Sequence, residues 1–506
     1  MGKTTFFLMI ITLISKLTGL VREQVFAYYL GTGDVYDAYS TASTIPFILF
    51  GSILQAMIAG YIPIYSEIKN EHGENQANKF TSNLLNIITT FSTLFIAIII
   101  LISPLLVSIF APGYIGSKRE LSIQFTKIFA FSLYPTMISS VFIGFLQMKN
   151  RFIVSETHGI IMNGLHIVTI ILSNYFNNYY IVAYGIVITE FLKFILFPKA
   201  IMSENYIHIF KMNFKDKYVI KLIKFAIPVL ISISVMDLLV ISDQSLASII
   251  MPNGGVSALR YSSLIYQIIT GIIITSIITT TYPTISDYAS KKQYDKMKKT
   301  MMDGVSLGYI LVIPSMIGVM ILAEPLVTVL FQRGSFTAES TKITSGLLFY
   351  YMPVVIGFTI KQIFNRGFYA MQNTTLPIIT TVVQVVLNII LNYALSAIWG
   401  INGLVIASSI ASLMSSILAI YLFRKKYGQI SFKSFINTFI KLSFASLLMG
   451  VVTYYSYAYF SNFNMYIALL ISIILSVIFY GVLILFMRIP SVMKTTNKLY
   501  HKFVKK

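Results

Sequence analysis

Apolar residues along this chain run together in long blocks instead of recurring every third or fourth position. Fourteen blocks can be drawn, at roughly 4–30, 36–65, 82–111, 122–147, 157–175, 179–198, 222–250, 257–286, 303–331, 343–365, 375–396, 401–423, 436–460 and 464–487. Each is close to or longer than the about 20 residues that a helix needs to cross bilayer hydrocarbon, and the longer ones predict tilt or extension into the headgroup region. A membrane β-barrel is excluded, because its strands read as alternating segments of about ten residues and these blocks are continuous. The pattern predicts an all-α polytopic membrane protein with 14 transmembrane helices.

The polar residues between the blocks test that count. With the N-terminus placed in the cytoplasm, the inner loops and both termini hold 29 of the 38 Lys and Arg, counting Lys224, Lys361 and Lys441 with the inner helix ends. The outer loops hold four: Lys118, Arg119, Arg333 and Lys342. One missed helix would mix the two sets from that point on, so the asymmetry supports the drawing and predicts both termini on the cytoplasmic side. The remaining five, Lys16, Arg22, Lys127, Lys193 and Arg260, fall inside segments.

Composition agrees. Of 506 residues, 56% are hydrophobic and 11% charged, against about 25% charged in a soluble domain. A net charge of +20 would point to nucleic acid in a soluble chain. Here its placement in inner loops assigns it to topology and anionic lipid, and no nucleic-acid partner is expected. With no cysteine, a disulfide framework, a thiolate metal site and thiol catalysis are excluded. The first block has no small-residue cleavage site after it and reads as a retained helix.

Segments 1–6 and 7–12 look like two copies of one unit. A shift of 220 residues lays Ala38, Ser43, Gly51, Pro63 and Ser66 on Ala258, Ser263, Gly271, Pro283 and Ser286, and Glu67 on Asp287. A shift of 221 lays Pro104, Phe110 and Gly113 on Pro325, Phe331 and Gly334. Six spans per copy give both copies the same orientation, hence two parallel six-helix lobes plus helices 13 and 14. The expected divisions are 1–210, 211–426, and 427–506 with a basic cytoplasmic tail. Two-lobed membrane transporters place substrate between lobes that alternate in access.

Charges within the segments need an explanation, because a charge at the bilayer centre costs about 2.5–3.5 kcal/mol on insertion scales. Lys16 and Arg22 lie in segment 1 and Arg260 early in segment 8, with Glu23 and Asp37 nearby in sequence. In one reading Arg22 pairs with Asp37 or Glu23 and locks segment 1 to segment 2. In the other, the cations face a cavity that binds a phosphate-bearing head group, to which the planar fork of arginine is suited. A second polar group joins Asp237 and Asp243 of segment 7 to Asn388 and Asn392, one turn apart in segment 11, and to Ser408 and Ser409 of segment 12. These oxygens suit Na⁺ or a proton site, or serve as polar glue between helices.

Enzyme signatures are missing. Gly2-Lys3-Thr4 lacks the upstream glycine of a phosphate-binding loop. The five histidines, His72, His158, His166, His208 and His501, form no metal pattern, and no paired-aspartate motif of the prenyl-transferase kind is present. The reading is a transporter without an organic cofactor, driven by Na⁺ or H⁺, by the membrane potential or by the substrate's own gradient.

Particular motifs narrow this. Ser15-Lys16-Leu17-Thr18-Gly19-Leu20-Val21-Arg22-Glu23, Gly31-Thr32-Gly33, Tyr36-Asp37-Ala38-Tyr39, Ile45-Pro46 and Ile62-Pro63 resemble the first two helices of the MurJ/MviN lipid II flippase family. Val256-Ser257-Ala258-Leu259, Tyr282-Pro283, Leu330-Phe331-Gln332-Arg333-Gly334-Ser335-Phe336-Thr337 and Gly367-Phe368-Tyr369-Ala370-Met371-Gln372-Asn373-Thr374 extend the resemblance to segment 12 and beyond. It implies membership of the multidrug/oligosaccharidyl-lipid/polysaccharide exporter superfamily. The implied activity is outward transfer of an undecaprenyl-pyrophosphate-linked glycan, foremost lipid II, across the bacterial cytoplasmic membrane, with cell-wall synthesis enzymes as candidate partners. The family's head-group cations fall on Lys16 and Arg22, its segment 2 acid on Asp37, and two further arginines on Phe50 and Leu264, with Arg260 one turn before Leu264. Glu23 and Ser257 join the candidate substrate set. The Na⁺ site of some members falls on Asp243, Asn388 and Asn392, and more loosely on Ser408. The missing cations leave open another lipid-linked unit, of capsule, teichoic acid or exopolysaccharide. A cation-coupled drug exporter would need acidic or aromatic cavity residues instead.

Overall fold

The computed structural model describes residues 2–149, 151–192, 194 and 197–489, and among these no strand occurs. Lys193, His501 and the basic tail, all named above, lie outside the described residues. A backbone in lipid has no water to bond with, so each apolar block closes its hydrogen bonds within a helix.

The helices in chain order are α1 (Gly2–Leu30), α2 (Asp34–His72), α3 (Glu74–Phe110), α4 (Gly116–Ala130), α5 (Leu133–Met148), α6 (Phe152–Tyr175), α7 (Tyr180–Leu192), α8 (Phe197–Met202), α9 (Lys217–Ile250) and α10 (Gly255–Ile269). A π-helical turn at Thr270–Ile274 joins α10 to α11 (Thr275–Ser290). Then come α12 (Tyr294–Ile321), α13 (Ala323–Phe331), α14 (Ala338–Tyr351), α15 (Val354–Ala370), α16 (Thr375–Trp399), α17 (Ile401–Tyr427), α18 (Lys433–Ser461) and α19 (Met465–Phe486). Among the described residues, four of the fourteen blocks are interrupted, as α4–α5, α10–α11, α12–α13 and α14–α15; the last pair bends by 43°. Among the described residues nine helices are long and apolar enough to cross a membrane, or ten with the bent pair, and fourteen spans are compatible with this. Helices outside that set include α1, α2, α6 and α9, which hold the polar side chains discussed below.

The chain forms two compact units, Met1–Ser257 with Arg333–Thr337, and Ala258–Gln332 with Ala338–Lys506. In the first, Tyr61, Tyr65, Phe80, Phe145 and Leu222 fill a core built by α2, α3, α5 and α9. The helix that opens the second repeat, α9, is therefore counted with the first unit. In the second unit Met301, Tyr309, Phe364, Phe368 and Phe423 pack together with Leu442 of α18 and Tyr480 of α19. The Tyr480 hydroxyl donates to the Ile310 carbonyl at 2.8 Å, which seats α19 on α12. Large apolar side chains of α3, α18 and α19 point outward, among them Leu101, Leu447 and Val477. That is the expected state of a lipid-facing surface.

Within the first unit the connections sort by parity. Those after segments 1, 3, 7 and 9 meet at one end, around Asp37. Those after segments 2, 4 and 6 meet at the other, around Glu74. There Lys69 lies 3.2 Å from Glu74, which also pairs with Lys149, while Arg151 reaches Glu204 at 2.8 Å and Lys221 reaches Glu67 at 2.5 Å. Burial, and then the neighbouring Lys69, hold the Lys149 amine below the usual lysine range.

Candidate functional site

α1 lies along α6. The Asn163 amide of α6 donates to the Ser15 carbonyl and to Thr18 Oγ1, both at 3.1 Å, so it grips the turn of α1 between Lys16 and Arg22. Its own Oδ1 accepts from Arg22 Nη1 at 3.0 Å. Arg22 Nη2 donates to Glu23 Oε1 at 2.5 Å, and the Tyr36 hydroxyl of α2 donates to Glu23 Oε2 at 2.8 Å. One guanidinium is thus oriented by two helices besides its own. Arg22 keeps 23% of its side-chain surface exposed, whereas Glu23 keeps 2%. Lys16, two turns earlier, is exposed. With Lys16 and Arg22 positive and Glu23 negative, the cluster holds one net positive charge. Lys16 and Arg22 place two cations on one stretch of α1, with the exposed part of Arg22 on the same helix.

Of the two acids that the sequence offered to Arg22, the structure selects Glu23. Asp37 is wholly buried and belongs to a different network. It lies in the first turn of α2, where the helix dipole favours a carboxylate. It also faces the first turn of α10, accepting from the Gly254 amide at 2.8 Å, from the Ser257 amide at 2.9 Å, and from the Ser257 hydroxyl. Lys118 closes the network. Its ammonium lies 2.5 Å from Asp37 and 3.1 Å from Asp34, bonds the Pro252 carbonyl, and stands over the Tyr114 ring at 4.4 Å. Glu23, Asp37 and Ser257 are therefore out of reach of a ligand in this conformation.

The same end is knit by close backbone approaches. Gly31 and Gly334 both adopt positive φ, and a Cβ on either would strike backbone oxygen, of Ser335 and Tyr28 respectively, at 2.3 Å. The Ser335 amide donates to the Tyr28 carbonyl at 2.8 Å. Lower down, Gln244 of α9 donates to Thr41 of α2 at 2.8 Å, and Ser52 donates to Asp237.

In the second unit, Asn388 of α16 donates to Ser408 Oγ of α17 at 3.0 Å, and Asn392 donates to Asn388 Oδ1 at 3.1 Å. Three of the four oxygen-bearing residues proposed for a cation thus meet. The fourth, Asp243, is half-buried in the first unit. No group of three or more His, Cys, Asp or Glu suited to a metal ion occurs among the described residues.

Residues 26–487 match the model of the family described as lipid II flippase MurJ. The chain belongs to the MurJ family. Among its MurJ relatives, the probable lipid II flippase of Rickettsia prowazekii is 26% identical, with 94% of each chain covered. The MurJ of Thermosipho africanus is 27% identical, with 93% of this chain and 94% of that one covered. A solved MurJ structure, in an inward closed conformation, matches with a TM-score of 0.81 at 24% identity over 99% of this chain and all of the other. An inward-facing multidrug transporter of the MATE family gives 0.71 at 13% identity, over 81% and 94%.

Phe50, on which the resemblance laid a family arginine, is an apolar core residue. It is 6% exposed in the first unit's core, its ring 4.6 Å from that of Phe95. Arg260 is half-buried on α10 in the second unit, one turn before Leu264. Lys361, counted above with the inner helix ends, is instead 7% exposed on α15 and donates to Gln384 Oε1 at 2.5 Å. Sequence reasoning missed two residues. Asn163 gave no signal, being one amide in an apolar helix. Lys118 did give one, as a cation in an outer loop of a chain that keeps its cations inside.

Proposed function

We propose that this chain carries the peptidoglycan precursor lipid II from the cytoplasmic to the outer leaflet of the bacterial cytoplasmic membrane, as a transporter and not an enzyme. The match to the MurJ family over residues 26–487 carries the reading. The head group of such a substrate bears a pyrophosphate, and charge-assisted hydrogen bonds from an arginine fork are among the strongest contacts for it. Lys16 and Arg22 receive the pyrophosphate, while Asn163 and Glu23, itself held by Tyr36, orient the guanidinium. Arg260 is the further cation assigned to the same substrate. The Asp37 end faces outward and both termini face the cytoplasm. A Na⁺ ion bound by Asn388, Asn392 and Ser408, or a proton, resets the cycle.

The test is complementation. The host's known lipid II flippase is depleted, and exposure of lipid II on the outer leaflet is measured with and without this chain. Restored exposure supports the assignment. An inserted chain that restores nothing for lipid II but moves another undecaprenyl-linked glycan would transfer the assignment to that substrate, the reading that Phe50 and Leu264 favour. Because the chain has no cysteine, single cysteines at each end report the orientation by impermeant labelling.

A further inference from the structure

We propose that the connection between α8 and α9 builds a site for one anionic phospholipid of the inner leaflet, separate from the transported lipid. The inner-leaflet assignment rests on the orientation just proposed.

Residues 203–216 form no helix, yet the segment is strapped to α3. Asn86 Nδ2 donates to the carbonyls of Ile209 and Lys211, at 2.8 and 3.0 Å. Asn83 exchanges two hydrogen bonds with the Asn213 backbone, at 2.7 and 3.0 Å. The Tyr206 hydroxyl lies 2.9 Å from Ser82 Oγ, and the His208 ring bridges Tyr206 and Asn86 at 3.0 Å on each side. The inward side of the strap is polar and satisfied. Its outward side is apolar: Ile207 is 78% exposed and Phe210 92%. A pinned segment that presents large apolar side chains has a partner for them.

Depth along α3 says what that partner is. The uncharged stretch of α3 runs from Phe80 to Phe110, about 46 Å of helix where the hydrocarbon takes about 30 Å. Asn83 and Asn86 lie in its first two turns, which the excess length carries towards headgroup depth. Lys211, Lys215 and Lys217 stand exposed on the strap and just beyond it, and a basic segment at that depth attracts anionic lipid. Between strap and helices lies an open groove of about 560 Å³, lined by Leu85, Thr89, Ile138, Phe142, Phe210 and Met212. An acyl chain fills the groove while Lys211 and Lys215 hold the phosphate.

The test uses the full chain in synthetic vesicles of phosphatidylcholine, with or without phosphatidylglycerol, and no lipid II. Failure here leaves the transport reading standing, and failure of transport leaves this one. Phe210→Cys provides a single spin-label site, and the side chain is too exposed for its loss to unfold the protein. The label is expected to collide with oxygen and to be shielded from a water-soluble nickel chelate. Native mass spectrometry is expected to retain phosphatidylglycerol, with retention about tenfold lower for Lys211→Glu combined with Lys215→Glu and reduced for Thr89→Trp, which fills the groove. A label open to the chelate in both vesicle types, equal retention by the lysine variant, or displacement of the lipid by inorganic phosphate would each overturn the proposal.

Discussion

The Asp37–Lys118 pair offers a test with a magnitude. Asp37→Ala removes the acceptor for two backbone amides and leaves the Lys118 ammonium, 6% exposed, without its nearest carboxylate. Breaking a buried ion pair from one side costs about 3–5 kcal/mol. The lower end applies here, because Asp34 remains 3.1 Å away and is itself exposed. Stranding the Gly254 and Ser257 amides adds about 1–2 kcal/mol each unless water enters. Lys118→Met should cost less, since Asp37 keeps both amides and the Ser257 hydroxyl. Joining Asp37→Asn to Lys118→Met removes both charges while keeping an oxygen for an amide, so the pair should be more stable than Asp37→Asn alone. The assay is thermal unfolding of the four proteins in one detergent at one scan rate, read as a double-mutant cycle. Effects that add within about 0.5 kcal/mol would mean the two side chains do not depend on each other, and the lock described at that end of the molecule would be wrong.

Further expectations concern the cations and the strap. Arg22→Glu should abolish head-group transfer in the complementation assay with the protein still inserted, and Arg22→Lys should lower it about tenfold, because an ammonium cannot fork between Glu23 and Asn163. Glu23→Gln removes the neutralising charge, so the purified protein should retain a pyrophosphate lipid more tightly in a pull-down yet transport it more slowly; unchanged retention would separate Glu23 from the site. If Na⁺ resets the cycle, Asn388→Ala should flatten the dependence of transport on Na⁺ concentration, and a parent protein indifferent to Na⁺ would dismiss that site. Burial holds the His208 imidazole below its ordinary value of 6.5, so the folded strap prefers the neutral ring. Its contribution should be whole above about pH 6.5, fall as pH drops from there towards the folded value, and change no further below it. The protection factors of amides within residues 207–213, corrected for the intrinsic pH dependence of exchange, should fall across that window in the parent and lose this step in His208→Phe.

Much of this was legible in the sequence because lipid makes backbone rules strict. Block length marked where long apolar helices lie, and within the first unit the connections after segments 1, 3, 7 and 9 meet at one end, which is compatible with the fourteen spans drawn. The cations inside segment 1 were visible as an insertion cost without an explanation. What the sequence could not supply was pairing. Glu23 and Asp37 are both acids near Arg22 in the chain, and only the packing of α1 on α6 with Tyr36 behind it hands Glu23 to the arginine. Asp37 is taken by a lysine 81 residues away and by the start of a helix 217 residues away. The breaks within α4–α5 and α12–α13 were hidden too, since hydropathy runs on across them.

The placement of Glu23 bears on how a flippase cluster differs from a tight receptor. Two cations with nothing between them would hold a pyrophosphate strongly, and a transporter whose site is too deep cannot release its cargo on the far side. A carboxylate 2.5 Å from the guanidinium offsets part of that attraction before any ligand arrives. It also lowers the cost of keeping Arg22 inside the membrane when the site is empty, which is the half of the cycle that a substrate does not stabilise. Lys16 has no such acid among its described contacts, and its long stem lets it follow a moving anion, whereas Arg22 is held by Asn163 and Glu23. On the proposed reading Arg22 orients the head group, Lys16 travels with it, and the buried Glu23 sets the affinity at which the head group can still leave.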